Sequence, residues 1–178
     1  MCPSSCGTDS ECAASHHCSN GACAPRCNPG TGNLLTNGGF DSGASGWPYL
    51  FHAQWVADDV LSCPTSGSLK LDDEGEARSV CVSVSESAVY TFGVQMKAPT
   101  EVAIECGVLL FSDSSCSIPA TGDGALKDNA AKSRWEQALE SFRTSPDARS
   151  ALIRCTTFQG VSGEFDQAFL KPGNLTEF

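Results

Sequence analysis

The chain has 178 residues, a formal net charge of −10 and 11 cysteines. So acidic a surface repels nucleic acid and anionic lipid, which argues against both as partners and leaves divalent cations and neutral ligands. Charged residues are only 18% of the sequence and glycine is plentiful, a balance that favours strands and turns over solvated helices.

Residues 1–30 read as a module of their own. Cys2, Cys6, Cys12, Cys18, Cys23 and Cys27 are separated by turn residues such as Gly7, Asp9, Asn20, Gly21 and Pro25. The one sizeable apolar side chain is Met1, so disulfides rather than a core must hold the shape. Such cysteine density points to an oxidising compartment: secreted, periplasmic or cell-surface. Cys12, His16, His17, Cys18 and Cys23 form a weaker zinc pattern, since no C-x-x-C pair is present. The run C-G-T-D-S-E-C-A-A-S-H-H-C-S-N-G-A-C resembles small repeats of bacterial secreted proteins and departs from them at Ser15. That resemblance implies a spacer or interaction module. No apolar leader precedes Cys2, so the expectation is that one was removed or replaced by Met1; a lipidated Cys2 is the alternative. No apolar run reaches the ~20 residues of a spanning helix. Pro29, Gly30 and Gly32 mark the boundary with the second domain, residues 31–178.

That domain opens on N-L-L-T-N-G-G-F-D-S-G-A-S-G-W, Asn33 to Trp47, where Asn37-Gly38-Gly39 signals a turn. Period-two alternation then predicts strands over Phe51–Val56, Ser68–Leu71, Arg78–Val84, Ala88–Lys97, Glu101–Phe111, Arg149–Phe158 and Glu164–Leu170. The segment 125–131 is helix-prone. Trp135, Leu139 and Phe142 have helical spacing, yet the flanking strands need a partner, so Glu136–Arg143 is read as a strand. About eight strands with regular turns suggest an all-β, antiparallel two-sheet sandwich.

Cys63, Cys81, Cys106, Cys116 and Cys155 belong to this domain. Cys63 in a turn near outward-facing Cys81 suggests one bridge. Cys106–Cys116 is the local choice for a second, with Cys116–Cys155 as its rival. Five is odd, so one thiol is free, joins the small module or links chains.

The opening stretch resembles the N-terminal signature of carbohydrate-binding modules of the family 4, 9 and 22 type, N-L-x-x-N-G-x-F-E/D-x-G-x-x-x-W. S-G-S-L-K-L at 66–71 is similar to that group's second motif, and A-R-S-A-L-I-R-C followed by F-D-Q-A-F-L to its closing strands. The resemblance implies a jelly roll with Asn33–Trp47 as first strand, a structural calcium ion and a sugar-binding surface. Calcium takes hard oxygen ligands in loose geometry. By the same resemblance, Asp41 after Phe40 and Asp166 after Phe165 are its side-chain ligands, completed by backbone oxygens near Gly39, Ser68 and Lys70. Gln167, where the group commonly has a second Asp, is the departure.

A glycan partner needs flat apolar surface for the pyranose face and amides or carboxylates for its hydroxyls. The segment W-P-Y-L-F-H-A-Q-W supplies both: Tyr49 and Trp55 as stacking residues, His52 and Gln54 beside them, with Phe51 and Phe158 as further aromatics. Trp47 and Trp135 resemble the group's core tryptophans. No G-x-S-x-G, P-loop or H-E-x-x-H is present, and His52 is the domain's single histidine. Asp58-Asp59 and Asp72-Asp73-Glu74 read as solvated loops, so a hydrolase is the third choice. The second is a filament or coat subunit that self-associates through the jelly roll and the cysteine-rich arm.

Overall fold

The computed structural model describes residues 7, 16–19, 21–25, 32–41, 43–63, 65–99, 104–122, 124–128 and 133–174. Among them every helical or extended element is a strand. In the first module β1 (His16–Ser19) and β2 (Ala22–Pro25) form an antiparallel hairpin that sets Cys18 opposite Cys23. Gly21 closes it with a left-handed backbone, φ 80°. Cys23 is disulfide-bonded. Cys2, Cys6, Cys12, Cys27 and the side chain of Cys18 lie outside the described residues, and with them the pairings and the zinc pattern expected there.

The second domain is a sandwich of two antiparallel layers that share one long strand. Its strands are β3 (Tyr49–Val56), β4 (Ser68–Arg78), β5 (Val82–Ser83), β6 (Val89–Lys97), β7 (Ile104–Phe111), β8 (Leu126–Asp128), β9 (Glu136–Arg143), β10 (Ser150–Thr157) and β11 (Gly163–Pro172). The first half of β4 pairs with β11, which continues to β6 and β9; its second half pairs with β10, which continues to β7 and β8. β3 runs along the other edge of β4 through both halves, and β5 extends the β4 side of β10.

Alternation builds the core as expected. Tyr90, Phe92, Val94 and Met96 of β6 face Ile104, Cys106, Val108 and Leu110 of β7 across the sandwich, and all are buried. The opening stretch forms turns rather than a first strand. It reaches the sheet through Asn33, whose Oδ1 accepts the Leu170 N–H (2.9 Å) and whose Nδ2 donates to the Ala168 carbonyl (3.0 Å). Gly38 accepts the Ala168 N–H, and a Cβ at Gly38 would lie 1.9 Å from the Ala168 oxygen, so only glycine fits. These contacts hold a bulge in β11 between Asp166 and Phe169. Behind it Phe40, Trp47 and Phe165 pack as a fully buried triangle, with ring centroids 5.3, 5.2 and 5.3 Å apart.

The expected short strand Ser68–Leu71 runs on to Arg78, and the expected strand Arg78–Val84 is broken after its first residue. The carboxylates that read as a loop form a corner inside β4. His52 of β3 faces residues 72–75 by itself, because Phe51 pairs with Glu76 while Ala53 pairs with Leu71. Glu74 and His52 both adopt positive φ, 53° and 44°. Gly75 has backbone oxygens of His52 and Asp72 where a Cβ would go, each 2.7 Å away. Thr157 locks the corner: its hydroxyl accepts the Gly75 N–H (2.8 Å) and donates to the Asp72 carbonyl (2.5 Å).

Within the helix-prone 125–131 segment, residues 126–128 are a strand instead. They pair with the open edge of β7, where a ladder of backbone bonds outweighs local propensity. Trp135 is half-buried under the Lys97 ammonium (4.9 Å) rather than in the core.

Among the described residues the bridges with both partners placed are Cys81–Cys116 and Cys106–Cys155, which corrects the expected Cys63–Cys81 and Cys106–Cys116 bridges and the rival Cys116–Cys155. β7 lies beside β10 with Cys106 directly opposite Cys155, a juxtaposition that sequence distance hides. Cys63 is also disulfide-bonded, to a partner outside the described residues.

Candidate functional site

The outer face of the β3–β4–β10–β7–β8 layer carries two ladders that cross all five strands. One is Tyr49, Arg78, Arg154, Gly107 and Leu126; the other is Phe51, Glu76, Thr156, Glu105 and Asp128. Alternation places the β3, β4, β10 and β7 members outward because Ala77, Cys155 and Cys106 between them point into the core. Four inter-strand steps of about 4.8 Å make the face roughly 19 Å wide.

Its β3 end is aromatic. Tyr49 and Phe51 stand 43% and 47% exposed. The Arg78 guanidinium lies 4.6 Å from the Tyr49 ring centroid and is held by Glu76. Phe51 stacks on His52 at 4.1 Å. The His52 Nδ1 meets the Asp73 carbonyl at 2.8 Å; a carbonyl only accepts, so that nitrogen carries the proton. The middle of the face is charged but balanced, with Arg154 diagonally across from Glu105 at 3.9 Å.

The β8 end is a cavity of about 400 Å³, within the size range of ligand pockets. Leu109 and Phe111 of β7, Pro119, Ala120 and Leu126 make it mostly apolar, and Arg154 with Glu105 supplies its polar side. Residues 112–122 and 124–125 lie back along β7 and wall it: Ala120 N–H donates to Leu110 and Val108 N–H to Ala125 (3.0 and 2.8 Å). Asp113 caps the return, its Oδ1 accepting the Ser117 and Ile118 N–H groups, each at 2.9 Å. Cys81–Cys116 staples this segment to the chain after β4.

The residues read from W-P-Y-L-F-H-A-Q-W are not brought together. Tyr49 lies on this face and His52 at its corner. Gln54 pairs with Lys70 on the half of β4 that belongs to the other layer. Trp55 lies against Gly67, where a Cβ would sit 2.7 Å from its ring, and its Nε1–H donates to the Phe40 carbonyl at 2.9 Å. Arg78, Arg154, Glu105 and Leu126 were missed because only strand neighbourhood puts them in one row with Tyr49.

A second polar cluster lies where residues 57–63 cross β11. Asp166 is wholly buried and its Oδ2 accepts the Val60 N–H at 3.1 Å. Asp59, 8% exposed, accepts the Leu61 and Cys63 N–H groups with Oδ1, each at 2.8 Å, while its Oδ2 has no donor. Desolvation, aided by the neighbouring Asp59 carboxylate, pushes the Asp166 carboxyl up to about 8. The carboxylate against Asp166 is thus that of Asp59. Asp41 sits half-buried in the turn after Phe40, its N–H on the Asn37 side-chain oxygen (2.7 Å). Beside it the Gly39 carbonyl accepts the buried Ser66 hydroxyl.

No family model matches the sequence, and no curated protein matches it. Solved structures do. A family 16 carbohydrate-binding module is similar at TM-score 0.59 and 16% identity, over 78% of this chain and 99% of that one. A family 4 module is similar at TM-score 0.57 and 13% identity, over 78% and 99%. The enzymatically active domain of bacteriophage CBA120 tailspike protein 4 is similar at TM-score 0.66 and 12% identity, over 86% of this chain and 23% of that one. The protein therefore has the jelly-roll fold of carbohydrate-binding modules.

Proposed function

We propose that this is an extracellular, non-catalytic glycan-binding protein, with a sugar chain lying across the five-stranded face. The observation that carries the reading is the pair of exposed aromatics, Tyr49 and Phe51, leading onto a row of arginines and glutamates. Pyranose faces stack on the aromatics, and hydroxyls exchange hydrogen bonds with Arg78, Glu76, Arg154 and Glu105. The described disulfides and the fold's likeness to carbohydrate-binding modules support both the compartment and the ligand class. The test is a glycan array with the intact chain and with Tyr49→Ala and Phe51→Ala. Binding that falls at least tenfold in both variants, with unchanged melting temperature, is the expected result. Binding to no glycan would end the reading.

Calcium is proposed as a structural ion at Asp59 and Asp166. The residues fit it: two carboxylates share a buried site, and one of their oxygens lacks a donor. The ion would displace the proton that Asp166 holds and tie segment 57–63 to β11. Asp41, proposed from its motif position, is the third side chain to test. Leu50 and Phe51, exposed on the edge strand β3, favour a second reading in which copies associate edge to edge. Native sizing tests it, and a strict monomer would remove it.

A further inference from the structure

We infer that the five-stranded face recognises the end of a glycan chain and not its interior. This rests on the glycan-binding reading above and specifies which part of the glycan is held. The face is asymmetric along its roughly 19 Å width. At β3 it opens to solvent over Tyr49 and Phe51, 43% and 47% exposed. At β8 it runs into the cavity of about 400 Å³, backed by Ala120 and Leu126.

That back wall is fixed in several ways. Pro119 bridges to Phe111, and the Ala120 and Val108 backbone bonds hold both limbs of the returning segment to β7. Thr121, between the limbs, donates its N–H (2.9 Å) and its hydroxyl (2.8 Å) to the Asp147 carboxylate. Gly124 approaches β7 so closely that a Cβ would lie 2.2 Å from the Val108 oxygen. A segment bonded at four places does not swing aside to let a polymer pass.

A sugar chain entering over Tyr49 therefore stops in the cavity. Its terminal residue would set an apolar face against Leu109, Phe111 and Leu126, with hydroxyls toward Arg154 and Glu105. The balanced charge of that pair suits a neutral terminal sugar.

The test uses calorimetry on the full chain with β-1,4-linked gluco-, xylo- and galacto-hexasaccharides and the corresponding soluble polysaccharides. End recognition predicts one protein per polysaccharide molecule whatever its length. It also predicts a binding capacity per gram that rises tenfold when endo-cleavage multiplies the ends tenfold. Ala120→Trp, which fills the cavity, should weaken hexasaccharide binding at least tenfold with melting temperature unchanged. Stoichiometry that grows with polymer length, or full affinity in Ala120→Trp, would overturn end recognition while leaving glycan binding intact. No binding to any of the sugars would overturn both.

Discussion

Asp59 and Asp166 meet in a site from which water is nearly excluded, one carboxylate oxygen of the pair having no donor. With its carboxyl pushed up to about 8, Asp166 holds a proton at neutral pH and hydrogen-bonds the Asp59 carboxylate with it, and a cation would take the place of that proton. Added calcium should raise the melting temperature, by an amount corresponding to about 2.7 kcal/mol at a hundredfold excess over the dissociation constant. In chelator Asp59→Asn should stay close to the parent in stability, because the amide oxygen still accepts the Leu61 and Cys63 N–H groups and its NH2 can donate to Asp166, and calcium should no longer help it. A calcium response that survives in both Asp59→Asn and Asp166→Asn would place the ion elsewhere. A response lost in Asp41→Ala as well would add Asp41 to the ligands.

The Cys106–Cys155 bridge joins directly opposite residues of β7 and β10 at a Cα separation of 4.1 Å, inside the core. Removing it in a Cys106→Ala/Cys155→Ala variant should cost about 2–4 kcal/mol in denaturant titration. Cys81–Cys116 lies near the surface and holds the segment that walls the cavity. Its loss should cost less global stability but weaken glycan binding. Equal effects of both bridges on binding would argue against the wall.

Strands were legible wherever one face alone enters the core. Tyr90 to Met96 and Ile104 to Leu110 keep that pattern without interruption, and β9 follows from the need of β6 for a neighbour. The continuity of β4 was hidden because Asp72, Asp73 and Glu74 carry the composition of a loop while lying in a bulge. β8 was hidden because pairing with β7 decides it against helix-prone residues. The aromatic end of the candidate site was visible in Tyr49 and Phe51. Its arginines and its cavity were not, since residues as distant as Tyr49, Arg78, Arg154 and Leu126 become neighbours only through strand order. Asp59 stayed hidden for a related reason: a carboxylate in a charged run reads as solvated until segment 57–63 is seen to cover β11.

The corner of β4 depends on Thr157. Its buried hydroxyl satisfies both the Gly75 N–H and the Asp72 carbonyl. Thr157→Val keeps the shape and strands both groups, so it should cost about 1–3 kcal/mol. Gly75→Ala should cost a similar amount by pushing apart the His52 and Asp72 backbones. Because β3 is hinged at this corner, both variants should also disturb the Tyr49 platform. Denaturation midpoints unchanged from the parent would refute the role of the corner.

Asp147 links the wall to the turn before β10. The Thr121 N–H, then the hydroxyls of Ser145 and Thr121, hold its carboxyl down to about 2, below the ordinary 3.8. A depressed folded value means that the contribution is present above the unfolded value and is lost as pH falls through about 2. The wall should therefore stay anchored at neutral and mildly acidic pH. The Thr121 amide resonance should titrate with a midpoint near 2, and a midpoint near 3.8 would show that the carboxylate does not hold it. At neutral pH Asp147→Ala removes the same anchor by mutation. It should weaken hexasaccharide binding several-fold by loosening the back of the cavity, while the denaturation midpoint stays within the small range of a surface substitution.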